Sequence, residues 1–64
     1  MLSDWELWAS ASFYVRKHGF DAPTLAALRA DELLEQGDFA GAKNYSVIVN
    51  RIQQILDVNN GKMN

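Results

Sequence analysis

Sixty-four residues without a cysteine must be held by one small core, since neither a disulfide nor a thiolate metal site can staple the chain. An apolar share of 48% and a charged share of 22% belong to a globular domain rather than a disordered tail. The net charge of -2 disfavours nucleic acid and anionic membrane, which are held largely through clustered Lys and Arg.

Ser3-Asp4-Trp5-Glu6 has the S-x-x-E spacing of a capping box, and Leu2 and Leu7 take the two positions of a hydrophobic staple. Both signals start a helix at Ser3, and Gly19 supplies its left-handed stop, so the first helix is expected over 3–18. Leu7, Trp8, Ala11, Tyr14, Val15 and His18 recur at helical spacing and define its apolar stripe. Trp5 falls on the margin of that stripe. Phe13 lies nearly opposite its centre, among polar neighbours, where a core does not account for it.

Gly19 to Pro23 forms a connector. Asp21 is expected to cap the second helix, with Pro23 in its first turn and Phe20 and Leu25 as a second staple. This helix spans 22–36, with Ala22, Ala26, Ala30, Leu25, Leu33 and Leu34 on its buried face. The alanines would admit a neighbouring helix at close range. Asp31, Glu32 and Glu35 point to solvent. Leu28 lies among them, a second apolar residue that the core does not claim.

Gly37 then acts as a C-terminal glycine and Asp38 as an immediate N-cap, so helices two and three form an antiparallel hairpin. The third helix, 38–58, places Gly41, Ala42, Tyr45, Ile48, Val49, Ile52, Ile55 and Leu56 on one face. Val and Ile are mediocre helix formers, so packing must hold it. Val47 and Val58 lie to one side of it and are further candidates for exposure. Asn59-Asn60-Gly61 is expected to stop the helix, leaving 59–64 as a frayed tail. The expected architecture is one all-α domain over 1–64, a three-helix bundle.

No constellation for catalysis, cofactor or metal stands out. His18 is the lone histidine, and next to a helix C-terminus it reads as a capping or packing residue. Asp31, Glu32 and Glu35 lack the loop spacing of a calcium site and read as a solvated face. The Gly37–Gly41 segment has no phosphate-binding pattern, and the Asp38 charge would repel a phosphate there. Lys43, Asn50, Gln53 and Gln54 share the exposed face of the third helix, which keeps a helix-turn-helix DNA-binding regulator as the alternative function. No apolar run approaches the roughly 20 residues of a membrane helix. The opening MLSDWELW carries acids where a signal peptide carries bases, so no membrane partner and a cytoplasmic location are expected.

The leading expectation is therefore a non-enzymatic interaction or regulatory module. It would bind a protein partner or a second copy of itself through Trp5, Phe13 and Leu28, since aromatic anchors are typical of interface hot spots.

Glu6-Leu7-Trp8-Ala9, His18-Gly19 with Asp21-Ala22-Pro23, Arg29, Gly37-Asp38, Gly41 and Arg51-Ile52 together resemble a family of short, uncharacterised, mostly proteobacterial proteins, over about residues 4 to 56. That resemblance implies a small stand-alone bacterial protein of the cytosol and carries over no site residues. Leu33-Leu34, Gly37-Asp38-Phe39 and Ala42 are similar to the corner of a tetratricopeptide hairpin, which implies protein–protein binding. The chain holds one such unit, whereas a solenoid needs several.

Overall fold

The computed structural model describes residues 2–59, of which 91% are helical and none lies in a strand. Helix α1, Asp4–His18, starts at the capping box. The Glu6 N–H donates to Ser3 Oγ at 3.2 Å, and the Ser3 N–H donates to Glu6 Oε1 at 2.8 Å. The Ser3 N–H foremost, and then the Ser3 hydroxyl, hold the Glu6 carboxyl below its ordinary pKa. At the other end Gly19 has φ 59° and ψ -130°. The positive φ is as expected. The ψ, however, lies outside the left-handed helical region, in backbone space that glycine alone reaches comfortably.

Gly19–Asp21 forms a 3₁₀ turn that runs straight into α2, Ala22–Glu35. Asp21 does not cap this helix: its own φ -80° and ψ -9° are helical, and its side chain accepts no capping bond. An N-cap needs an extended backbone to aim its oxygen at the next N–H groups. Here the second of those positions is Pro23, which has none to give. The second staple also fails to form, since Phe20 is exposed.

Helix α2 closes in a Schellman motif. The Gly37 N–H donates to the Leu34 carbonyl at 3.0 Å and the Asp38 N–H to the Leu33 carbonyl at 2.8 Å, with Gly37 at φ 83°. Asp38 at once caps α3, Phe39–Asn59, accepting from the Gly41 N–H at 2.9 Å. Two residues, Gly37 and Asp38, thus satisfy the orphan groups of two helices. Gly41 owes its identity to that cap. The three nearest atoms that a Cβ there would meet all belong to the Asp38 carboxylate, at 2.5 to 3.0 Å, so the glycine makes room for its own cap rather than for a neighbouring helix. Helix α3 ends one residue later than expected, and the part of the expected tail from 60 to 64 lies outside the described residues.

The expected three-helix bundle is not the arrangement observed. The helical residues fall into two unbroken runs, 4–35 and 39–59, the first bent at Gly19 and the second forming a helical hairpin with α2. Because Asp21 is helical, no loop separates α1 from α2. Both pack on α3 far more than on each other. The core is correspondingly thin. Ile48 and Ile52 are the large side chains that become fully buried, against Ala11, Ala22 and Ala26, with Leu7 beside them.

Leu25 and Leu34, expected inside, are exposed. They sit roughly 80–100° to either side of the strip defined by Ala22, Ala26 and Leu33. A helix with one principal neighbour buries only a narrow strip. Val47, by contrast, is partly buried against the core, whereas Val58 is exposed. Across the far end, Arg51 of α3 donates to Asp4 Oδ1 at 3.2 Å and lies 4.8 Å from the Trp8 ring centroid, fastening α3 to the start of α1.

The cap geometry sets up a double-mutant cycle. Gly41→Ala gains helix propensity but displaces the Asp38 carboxylate, so alone it should change stability by less than about 0.5 kcal/mol, as gain and loss nearly cancel. In an Asp38→Ala background the same substitution should stabilise by about 1 kcal/mol, since no cap remains to lose. Urea denaturation of the four chains measures the difference.

Candidate functional site

The three residues expected to form a partner surface all lie at the surface. Trp5 is 76% exposed, Phe13 53% and Leu28 54%. On α1, Trp5, Ala9 and Phe13 follow one another at i, i+4 and i+8 and so form one row on its outer side. Leu28 belongs to α2 and stands among exposed Asp31, Glu32 and Glu35, with Glu32 paired to Arg29 at 3.2 Å. No aromatic pairing or hydrogen bond joins Trp5, Phe13 and Leu28 to one another among the described residues.

Phe13 instead belongs to a cluster centred on Tyr14. Its ring meets that of Tyr14 edge-on at 6.4 Å, and the Lys17 ammonium sits 5.6 Å from its centroid. Tyr14 also meets His18 at 5.8 Å and stands perpendicular to Tyr45 of α3 at 6.1 Å. Together with Ala9 and Ser10, these residues line an open hollow of about 510 Å³ between α1 and α3. Burial pushes the Tyr14 hydroxyl up to about 12, with Tyr45 adding to the effect, so it stays a proton donor. Arg29 lowers it and Glu32 raises it.

His18 is half-buried beside a tyrosine ring, and among the described residues no three His, Cys, Asp or Glu side chains converge on a point. On α3, Lys43, Asn50, Gln53 and Gln54 are exposed as expected. Gln54 Nε2 donates to Asn50 Oδ1 within the face, and Arg51 turns away from it to Asp4 and Trp8. No described helix is long and apolar enough to cross a membrane.

Two exposed aromatics were not anticipated, Phe20 and Phe39. Each is one residue from a cap position, where the backbone is still turning, and that placement was the available signal. The Tyr14–Tyr45 pair could also have been suspected. Two tyrosines in facing apolar stripes need an outlet for their hydroxyls, which puts them at the rim of a core.

Comparison with known protein families, with curated proteins and with solved structures finds no match to this chain.

The raised Tyr14 hydroxyl makes a pH prediction. A group whose folded value lies above its ordinary 10.0 contributes stability that is complete below pH 10 and is lost as pH rises through about 12. Thermal unfolding followed from pH 8 upward should show the melting temperature falling across that window. Tyr14→Phe should flatten the fall, and equal slopes for both chains would contradict the assignment.

Proposed function

We propose that this chain is a small non-enzymatic interaction or regulatory module of the cytoplasm, whose binding surface is built on the outer sides of α1 and α2 around Trp5, Phe13 and Leu28. One observation carries the reading: the imbalance of apolar side chains. Among the described residues nine large apolar side chains are exposed, whereas four, Leu7, Leu33, Ile48 and Ile52, are buried. Single exposed apolar residues are ordinary, but a chain this small that spends more large apolar side chains outside than inside gains stability from a partner.

The chemistry of the rest of the surface agrees. The aromatic side chains in question are of the type that anchors interfaces, offering large area at little entropic cost. His18 has a tyrosine ring rather than a carboxylate for a neighbour, so no acid–base pair is poised there. The likeness of the Leu33–Ala42 corner to a tetratricopeptide hairpin also favours protein binding. Among the described residues the polar face of α3 offers one cation without an acidic partner, Lys43, beside the diverted Arg51, too little positive charge to hold a phosphate backbone.

The test is affinity capture on immobilised chain, comparing the unaltered sequence with Phe13→Asp and Leu28→Asp. Both positions are exposed, so circular dichroism should report an unchanged fold. Proteins captured by the unaltered chain should be lost, or bind at least about tenfold more weakly, on either variant. Identical capture by all three chains would sink the proposal.

A further inference from the structure

We infer that the partner is a second copy of this chain, docked about a two-fold axis so that the basic end of α1 in each copy meets the acidic half of α2 in the other. This rests on the reading above, that the α1–α2 side is a binding surface, and adds the identity of the occupant.

Charge is segregated by sign along α1 and α2. Helix α1 closes with Arg16, Lys17 and His18, and the two formal cations are exposed with no acidic partner among the described residues. Asp21 in the turn offsets one of them. Helix α2 carries Asp31 and Glu35 exposed and likewise unpaired, while Glu32 is shared with Arg29. Only three residues link the two helices, so the basic end lies at the start of α2. At a rise of 1.5 Å per residue, the acidic half of α2 is then roughly 13–20 Å away. That exceeds the screening length of about 8 Å at physiological salt, so the two poles hardly neutralise each other within one copy.

A surface that is positive at one end and negative at the other is its own complement under a two-fold rotation, because the rotation lays each pole on its opposite. Between the poles stand exposed Leu28 and Leu25, which such an axis would bring against their own equivalents. The exposed Phe13 ring, already bearing Lys17, stands at the basic pole. The area needed is available. A standard interface covers about 800 Å² per partner, under a fifth of the 4447 Å² accessible on this chain. An acidic or basic foreign protein would satisfy one pole only. A second copy satisfies both.

Sedimentation equilibrium on charge-reversed chains decides it. In one variant Arg16→Glu and Lys17→Glu make both poles negative. In the other Asp31→Lys and Glu35→Lys make both positive. The unaltered chain should dimerise, and each variant alone should associate at least about tenfold more weakly, since like poles now face each other. An equimolar mixture of the two variants should recover the unaltered affinity as a heterodimer. Variants that dimerise as tightly as the unaltered chain, or a mixture that stays monomeric, would overturn the pairing while leaving the interaction reading standing. An unaltered chain that is monomeric throughout the micromolar range would also overturn it, and capture sensitive to Phe13→Asp would then mark a foreign partner. Should either variant not fold, the unaltered chain still answers. Its dissociation constant should rise several-fold from low to high salt, and a constant or falling value overturns the pairing.

Discussion

The seating of Ile48 and Ile52 against Ala11, Ala22 and Ala26 is the contact on which the remaining structure depends. Two branched side chains from one helix enter a surface made of methyl groups on two others. Because those partners are small, the backbones of α1 and α2 can both come close to α3, with Leu7 the one bulky side chain that either adds to the buried cluster. Fully burying each isoleucine contributes roughly 1.5–3 kcal/mol, a large fraction of what so short a chain can hold as net stability. The same economy explains the shape of the fold. A core two isoleucines deep requires α3 to touch both other helices, and it does not require them to touch each other.

Everything at the helix ends serves to deliver that seam in register. Ser3 and Glu6 start α1, and Gly19 bends the chain without opening a loop. Gly37 and Asp38 close α2 and open α3 within two residues. Such a corner cannot slide, since a shift of one residue would break both the Schellman bonds and the cap. Arg51 performs the corresponding task at the far end, where its guanidinium lies on the Trp8 ring and bonds Asp4. Exposed ion pairs alone stabilise little. Stacking on an aromatic ring adds a fixed direction to this one, and so orients α1 across the hairpin.

The consequence for function follows from the same thinness. Large apolar side chains that a deeper core would have absorbed, among them Trp5, Phe13 and Leu28, stand in water. They alternate with charges that are segregated by sign along the chain, basic where α1 ends and acidic where α2 ends. In the proposed dimer, hydrophobic area would supply the drive to associate and the charge pattern the orientation. The aromatic cluster around Tyr14 ties the two together, as it connects the exposed Phe13 ring through Tyr14 to Tyr45 at the edge of the core.

The sequence by itself determined the local events: both helix stops at glycine, the capping box, the Asp38 cap, and the stripe of α3 whose Ile48 and Ile52 become the core. These depend on chemistry within four residues or on helical period, and both are written in order along the chain. It also marked Trp5, Phe13 and Leu28 as candidates for exposure, since Phe13 and Leu28 fall among polar neighbours and Trp5 on the margin of a stripe. Tertiary structure alone decided how wide each buried strip is. Leu25 and Leu34 have the spacing of core residues, but the core is too narrow to reach them, and Asp21 has the place of a cap that the helical turn before Pro23 makes impossible. The helical period tells which way a side chain points. Whether anything stands there to cover it depends on how many neighbours the helix has, and that is settled only when α1 and α2 both commit to α3 and leave their outer flanks bare.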